Sequence, residues 1–239
     1  MPAADPGGPP RAGTTREAVL AELRRRVLDG EFAPGRAIDV EEVAAAGGVS
    51  RVPVREALMT LVGEGLVEHR PRQGYAVARL RPDELDELYE VRGILELAEL
   101  RRAATAPPEA LAPALQRARA ALVAVAAALE AGGELAHHRS SRAFHMALVG
   151  PCAMPRLLRL FATTWDTTDP HRPMRDLPHA EGVLLVAEHA AMLAALEAGD
   201  VEGLCAAADA HLRRLHGRIG ARPAAEDEPG PLRRVRRRR

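Results

Sequence analysis

Two arginines at the start of a predicted helix have the type and spacing needed to bind a nucleic acid. Arg51 and Arg55 stand four residues apart, so they lie one above the other on one helical face. Ser50 precedes them as a candidate helix cap, and Pro53 falls in the first turn, where its missing N–H is not required. A helix N-terminus also favours a phosphate. The alternative is that both arginines are ordinary solvated charges.

A second basic feature follows this helix. Past Gly63 and Gly65 the pattern changes from helical spacing to two short strands joined by a turn that carries Arg70 and Arg72. Gly74 frees the backbone where the chain returns. Arginines at a hairpin tip beside a recognition helix favour a probe of the minor groove or of a phosphate, and a simple soluble turn is the alternative. Helix and hairpin together predict a winged helix-turn-helix.

These residues resemble the GntR family of bacterial transcription regulators. The matching positions are Pro34-Gly35, Val43-Ala44, Gly48 to Leu58 (GVSRVPVREAL), Glu64 to Val67, Pro71 and Gly74. The resemblance implies DNA contacts from Ser50, Arg51, Val52, Pro53, Arg55, Arg70, Arg72 and Gly74.

Two positions depart from the family pattern. Val52 stands where the family usually has a small polar residue, which removes one phosphate or base contact. Glu41 and Glu42 stand where the family often has a basic residue for a phosphate. The resemblance therefore leaves that phosphate contact without a donor.

The composition limits the fold and the kind of partner. With 239 residues the chain has room for two domains, and 47% hydrophobic but only 3% aromatic residues predict a mainly α protein with cores of Ala, Leu and Val. Because the net charge is zero, the case for DNA rests on local placement. Cys152 and Cys205 are predicted to be buried small hydrophobes. We expect a cytoplasmic protein that does not contact a membrane.

The N-terminal elements must position the arginines. Residues 1–13 are predicted to form a disordered arm, and residues 14–79 the winged helix-turn-helix domain. Its first helix is predicted to begin after Thr15 and to end at Gly30. Asp39, with Glu42 three residues later, predicts a second helix from about Val40.

The remainder is predicted to be helical. Residues 80–82 form a linker, residues 83–220 an all-helical effector-binding and dimerisation domain, and residues 221–239 a disordered arginine-rich tail. Proline and glycine breaks predict six helices, at 83–105, 108–131, 134–149, 153–166, 179–198 and 201–219. They favour an antiparallel bundle with a pocket between helices.

Histidines in this second domain carry another resemblance. Residues from about Asp83 to Gly220 resemble the FCD domain of the FadR subfamily, in its "vR..lE" opening and its "EH..ll.Al..gD" ending. The resemblance implies that His145, His189 and His211 are metal ligands, with Ser141 in place of the usual aspartate. Three imidazoles and water still suit one divalent ion such as zinc or nickel. The alternative is a set of core histidines without metal.

The resemblance also implies an effector contact. Arg92 corresponds to an arginine that pairs with the carboxylate of a small organic acid. The alternative is a surface arginine paired with Glu96, four residues later. His137, His138, His171, His179 and His216 match no motif position, and they are interpreted as solvent or loop residues.

A regulator is the function that these features favour. We expect a repressor, not an enzyme, that binds a palindromic double-stranded operator as a homodimer and responds to a small organic acid. The alternative is a metal-dependent hydrolase fused to a DNA-binding module, since a three-histidine zinc site also occurs in hydrolases. Against it, no motif places a carboxylate as a base.

Overall fold

The computed structural model describes residues 12–171 and 177–220, and the chain divides into two compact units between Arg79 and Leu80. The predicted linker at 80–82 falls at this boundary, and the first helix of the second unit begins at Pro82. The predicted tail at 221–239 and residues 1–11 of the predicted arm lie outside the described residues.

The first unit is a winged helix-turn-helix, which confirms the predicted fold class. Its elements in chain order are α1 (Ala12–Leu28), β1 (Ala37–Ile38), α2 (Val40–Gly47), α3 (Arg51–Gly63), β2 (Val67–Arg70) and β3 (Gly74–Val77). The three strands form one antiparallel sheet in the order β1-β3-β2. Helix α3 is the recognition helix, and the β2–β3 hairpin is the wing.

Two residues fix the ends of α2. Asp39 Oδ1 accepts hydrogen bonds from the amides of Glu41 and Glu42, at 2.7 and 3.3 Å. Gly48 ends the helix with a φ of +61°, a backbone conformation that glycine adopts without the steric cost of a Cβ. The predicted start at Val40 is confirmed, and the tight turn at Gly48 leads directly into the recognition helix.

Helix α1 begins earlier than its predicted cap. It starts at Ala12, so the last two residues of the predicted arm are helical and Thr15 lies within the first turn. The exact start of a helix is hard to predict from sequence. The first amides of a helix have no partner within it, so only weak local preferences fix where the helix begins.

The recognition helix is held by its apolar face. Val54, Ala57, Leu58 and Leu61 are buried on this face. They pack in one core with residues of α1 and of the wing: Leu23, Val27, Leu66, Val67 and Val77. The opposite face of α3 is therefore turned towards solvent.

In its described residues, 80–171 and 177–220, the second unit has six α-helices, as predicted. They are α4 (Pro82–Ala103), α5 (Pro108–Glu130), α6 (Glu134–Val149), α7 (Pro155–Thr168), α8 (His179–Ala198) and α9 (Val201–Gly220). The main core lies between all six of these helices, around Leu100, Ala118, Phe144, Phe161, Trp165, Met192 and Leu204. Cys152 and Cys205 are buried free thiols, as predicted.

Helix α7 is displaced from its predicted range of 153–166. It begins at Pro155 because proline is suited to the first turn of a helix, where its missing N–H costs no hydrogen bond. Short 3₁₀ segments at Gly150–Cys152 and Asp169–His171 flank it. The shift places Thr168 in the helix and Asp169 directly after it.

Two helices have the length and composition of a membrane span, although the sequence predicts none. Helices α5 and α8 each contain a window with a mean hydropathy of 1.2. Both values reflect the alanine-rich composition, and only 17% and 33% of the two windows are buried. Core helices of soluble proteins meet the same criterion, so length and composition alone do not assign either helix to a membrane.

Candidate functional site

The solvent face of the recognition helix carries the predicted DNA-binding residues. Arg51, Val52 and Arg55 are exposed, and Pro53 is half-buried in the first turn. Val52 is 64% exposed, so its methyl groups are accessible. Among the described residues, none forms an ion pair with Arg55. Its guanidinium is therefore available to an external anion.

Arg51 differs from Arg55 because it has an acidic neighbour. Its Nη2 atom lies 3.5 Å from Oε1 of Glu41, and both side chains are more than half exposed. Glu41 is one of the two glutamates at the start of α2 that depart from the GntR pattern. This acid therefore faces a predicted DNA contact.

Ser50 occupies the predicted cap position but does not cap the helix. Its backbone is extended before α3, and its side chain makes no capping hydrogen bond to the helix amides. The amides at the start of α3 are instead left to solvent or to a phosphate, which is the favoured ligand of such a helix end. The expectation of a cap from Ser50 is wrong, whereas its exposed position fits a phosphate contact.

The wing presents its two arginines differently. Arg70 Nη2 lies 2.6 Å from Oε1 of Glu68 on the same strand, and the Arg70 side chain is 27% exposed. Arg72 is exposed at the tip with a φ of +66°, which side-chain-bearing residues rarely adopt. Gly74 has a φ of +95° and closes the turn. Arg72 is the freer of the two predicted contacts.

Three buried histidines meet in the second unit. His145 on α6, His189 on α8 and His211 on α9 are at most 2% exposed. One ring nitrogen of each lies within 4.8 Å of the others. The Nε2 atoms of His145 and His189 are 3.1 Å apart. The predicted triad is thus brought together by three helices, and it can hold a metal ion.

Two glutamates fix the orientation of two of these three rings through hydrogen bonds to Nδ1. Glu96 on α4 forms a hydrogen bond with Nδ1 of His145, and Glu188 Oε2 lies 3.0 Å from Nδ1 of His211. A carboxylate on one ring nitrogen fixes the ring and leaves the other nitrogen to a metal. Burial alone would raise the pKa of Glu96, but the neighbouring His145 lowers it.

The environment keeps two of the imidazoles neutral. Burial lowers the pKa of His189 well below its usual value, and the neighbouring His211 and His145 lower it further. Burial also lowers the pKa of His211, in opposition to the hydrogen bond with Glu188. Since a metal binds the unprotonated nitrogen, these shifts favour ligation at neutral pH.

Helices α4, α6, α7, α8 and α9 surround a cavity of about 30 Å³ next to the triad. We call it the ligand cavity, and its lining residues are Tyr89, Arg92, His137, His138, Ser141, His145, Trp165, Leu185, His189, His211 and Leu215. Ser141 lies on this lining one turn before His145, as predicted. It supplies a neutral hydroxyl where the resemblance implies a carboxylate.

Arg92 is buried in the ligand cavity, so its interpretation as a surface partner of Glu96 is wrong. It is 1% exposed, and Glu96 instead bonds His145. Its guanidinium carbon lies 4.0 Å from the ring centre of Tyr89 and 4.2 Å from that of Trp165. Its Nε and Nη1 atoms have no hydrogen-bond partner among the described residues. Such an arginine is suited to receive an anion.

His137 and His138 were interpreted as solvent or loop residues, and both line the ligand cavity instead. His138 Nε2 lies 2.9 Å from Oδ1 of Asp169, which Arg142 also contacts at 2.6 Å. His137 is one turn before Ser141 on the same face of α6. This four-residue spacing was a signal in the sequence that could have placed His137 at the cavity. In contrast, His179 and His216 have side chains that are 58% and 30% exposed.

Sequence reasoning missed the aromatic residues of the cavity. The resemblance to the FCD domain assigns no role to Tyr89 or to Trp165, which is the only tryptophan in the sequence. Tyr89 precedes Arg92 by three residues and so shares its helical face, which was a usable signal. Trp165 comes from α7, and no local pattern connects it with Arg92.

Comparisons with known proteins give a matching family model for each of the two units. Residues 15–77 match the family described as "Bacterial regulatory proteins, gntR family", and residues 87–214, more than half of the chain, match the FCD domain. A solved structure titled "E. coli McbR/YncC" is 25% identical with a TM-score of 0.76, over 86% of this chain and 97% of that one.

Two curated relatives match over shorter segments. The "Uncharacterized HTH-type transcriptional regulator in unstable DNA locus" of Streptomyces ambofaciens is 42% identical over 87 residues, 36% of this chain and 37% of the relative. The "HTH-type transcriptional repressor RspR" of Escherichia coli is 34% identical over 89 residues, 37% of this chain and 39% of the relative. The chain therefore matches little more than a third of the length of either.

These relatives are transcriptional regulators, not enzymes, which confirms the predicted class over the hydrolase alternative.

Proposed function

Because the chain belongs to the GntR family of bacterial regulatory proteins, with an N-terminal GntR helix-turn-helix and a C-terminal FCD domain, we propose that it is a cytoplasmic repressor that binds a palindromic operator as a homodimer. The observation that carries the DNA half is the exposed Arg55 beside an uncapped helix N-terminus. A relative named as a repressor supports the sign of the regulation.

In this proposal each protomer places α3 in the major groove of one half-site. Arg51 and Arg55 contact guanine edges or phosphates, and Ser50 contacts a phosphate at the helix end. Val52 and Pro53 contact the groove wall. Arg70, Arg72 and Gly74 bring the wing to the groove flank. Two protomers associate mainly through their second units, residues 83–220, which set the spacing between the recognition helices.

The second unit is the sensor. A small organic acid enters the ligand cavity, and its carboxylate pairs with Arg92, whose buried N–H groups lack a partner. The acid favours a dimer geometry that no longer fits the half-site spacing. It shifts the equilibrium only by the difference between its affinities for the two geometries.

A divalent metal such as zinc or nickel fits the histidine triad. Three imidazoles converge within 4.8 Å, and two of them are oriented by carboxylates. His145, His189 and His211 would hold the ion. A bound ion would supply positive charge and open coordination positions at the wall of the cavity.

The test of DNA binding is Arg55→Ala. The probe is a duplex that the wild-type protein enriches from a random-sequence library, measured in gel shifts across a salt series. We expect a loss of about 1–3 kcal/mol, roughly 5- to 150-fold in affinity. Arg159→Ala is the matched control, because it removes one exposed arginine from the second unit. Equal affinities of Arg55→Ala and the wild type would remove Arg55 from the interface.

A further inference from the structure

The large apolar residues that are exposed in the first unit both belong to its recognition helix. Among the described residues of this unit, 12–79, they are Val52 and Met59, which are 64% and 51% exposed. The two are seven residues apart, so they lie on the same face of α3. A single exposed apolar residue is normal on a protein surface. Two of them on the face that carries Arg51 and Arg55 indicate a binding role.

The core of the first unit does not use these two residues. The face of α3 that packs against α1 and the wing is formed by Val54, Ala57, Leu58 and Leu61. Val52 and Met59 lie on the opposite side of the helix and do not belong to this cluster. Packing within the unit therefore gives no reason for an apolar side chain at either position.

The charged residues between them favour base edges over phosphates as the neighbours of this face. Arg55 and Glu56 are exposed three and four residues after Val52, and Met59 follows at the seventh position. Side chains with this spacing read the bases from a helix that lies in the major groove. Phosphates repel the Glu56 carboxylate and offer no apolar surface, so the centre of this face is suited to the bases.

One base presents an apolar group in the major groove. Thymine carries a C5-methyl group there, whereas the other bases are distinguished by their hydrogen-bonding atoms. A valine side chain has no hydrogen-bonding atom, and the sulfur of methionine is only a weak acceptor. Thymine methyl groups are therefore the partners that these two side chains can distinguish from other bases.

The spacing along the helix sets the distance between the two contacts. Seven residues of α-helix rise about 10.5 Å, and successive base pairs are about 3.4 Å apart, so the contacts are about three base pairs apart. Val52 has a stiff, β-branched side chain in the first turn. Met59 has a long and flexible side chain, which can follow the curvature of the groove two turns later.

We propose that Val52 and Met59 each bind the 5-methyl group of a thymine in the major groove, so that methyl contacts select two positions of each half-site. The proposal rests on the proposed DNA-binding function. It gives Val52 an apolar contact in place of the polar one that its departure from the family pattern removes. It also assigns a role to Met59, which matches no position of that pattern.

The experiment exchanges single thymines of the operator for deoxyuridine, which lacks only the 5-methyl group and keeps the hydrogen bonds of the base. The probe is the duplex that the full wild-type chain enriches from a random-sequence library. Gel shifts measure the affinity for each exchanged duplex. We expect a loss of about fourfold at two positions of each half-site, the effect of one buried methyl group.

Two variants assign these positions to their residues. Val52→Ser removes both methyl groups, and Met59→Gln replaces the thioether with an amide of similar length. We expect each variant to lose the preference for thymine over deoxyuridine at one position and to keep it at the other. A purely structural role would instead weaken binding to both duplexes equally. Val123→Ser is the matched control, because Val123 is 71% exposed on α5 in the second unit, and it should keep both preferences.

Two results would overturn the proposal while DNA binding remains. The first is a wild-type affinity that no exchange of a thymine lowers. The second is a variant, either Val52→Ser or Met59→Gln, that keeps the wild-type preference at every thymine. Failure of the proposed DNA-binding function gives a different result, because the wild type would then enrich no duplex from the library.

Discussion

The two units of this protein keep their binding arginines in opposite environments. Arg55 is exposed on the recognition helix and is therefore solvated. Arg92 is 1% exposed and lies between the rings of Tyr89 and Trp165. An exposed guanidinium costs little free energy to maintain, whereas a buried one loses its hydration and needs compensation from ring faces and a ligand.

This difference separates two kinds of recognition. Binding through exposed arginines depends on salt, because DNA releases its condensed counterions when phosphates are neutralised. Binding in a closed cavity is screened much less by salt, and each interaction is stronger in the lower dielectric. The first unit is thus suited to binding a long polyanion. The second is suited to binding a small molecule that loses its hydration when it enters the cavity.

The largest expected effect is that of Arg92→Met on the sensor. Removing the cation that faces a buried carboxylate typically costs 2–5 kcal/mol, so we expect affinity for the acid that binds the wild type to fall at least about 30-fold. The unfolding free energy should not fall, because the variant no longer buries a charge with unpaired N–H groups. Calorimetry gives the first quantity and urea unfolding the second.

The fluorescence of Trp165 follows unfolding of the second unit alone, since it is the only tryptophan in the chain. Arg101→Met is the control, because Arg101 is an exposed arginine on the same helix and pairs with Glu202 at 2.7 Å. Retained acid affinity together with lower stability in Arg92→Met would show that the arginine is structural, and the contrast with Arg55 would disappear.

Local chemistry explains why much of the fold was predictable. The side chain of Asp39, the left-handed turn at Gly48 and the proline at position 53 act on neighbouring residues, so they set the helix-turn-helix without the rest of the chain. Strand β1 was not predicted because Ala37 and Ile38 become a strand only by pairing with β3, almost forty residues later.

The site was predictable where a motif covered it and not elsewhere. The positions of His145, His189 and His211 followed from the family resemblance, and the structure brings them together. The resemblance also implied that Arg92 faces an effector, but its position against the Trp165 ring did not follow, because Trp165 comes from another helix. Contacts between distant segments leave no spacing signal in one sequence.

An intermediate effect is expected from Glu99→Gln, which tests whether the second unit also keeps an unpaired buried carboxyl group. Glu99 is fully buried, and neither carboxylate oxygen has a partner among the described residues. Burial, with a further contribution from Glu96, raises the pKa of Glu99 to about 8. The unfolded chain releases this proton near pH 4.5, so the folded state holds more protons between these two values and loses stability as the pH rises.

We therefore expect Glu99→Gln to unfold with nearly wild-type free energy at pH 5 and to be more stable by roughly 2–4 kcal/mol at pH 9. Urea unfolding followed by Trp165 fluorescence measures both. Glu87→Gln is the control, because Glu87 is exposed on the same helix. A difference between Glu99→Gln and the wild type that does not change with pH would mean that Glu99 is solvated in the folded state.

The smallest effect concerns the exposed acid of the first unit. Glu41 lies 3.5 Å from Arg51, and both side chains are more than half exposed, so the pair contributes at most about 1 kcal/mol to stability. On a DNA surface the same carboxylate restrains a guanidinium and repels phosphates. Glu41→Gln should therefore leave stability nearly unchanged and tighten DNA binding two- to fivefold at low salt, roughly 0.4–1 kcal/mol.

Salt separates this interpretation from its opposite. If Glu41 acts by its charge, the gain in DNA affinity of Glu41→Gln should vanish as salt screens the exposed pair. Glu87→Gln makes the same change in net charge. It should increase the affinity much less, because Glu87 lies in the second unit. Gel shifts across a salt series measure both variants. Weaker binding by Glu41→Gln would mean that Glu41 holds Arg51 in the orientation that DNA requires. The first unit would then also depend on a positioned arginine, and the contrast with the second unit would be one of burial alone.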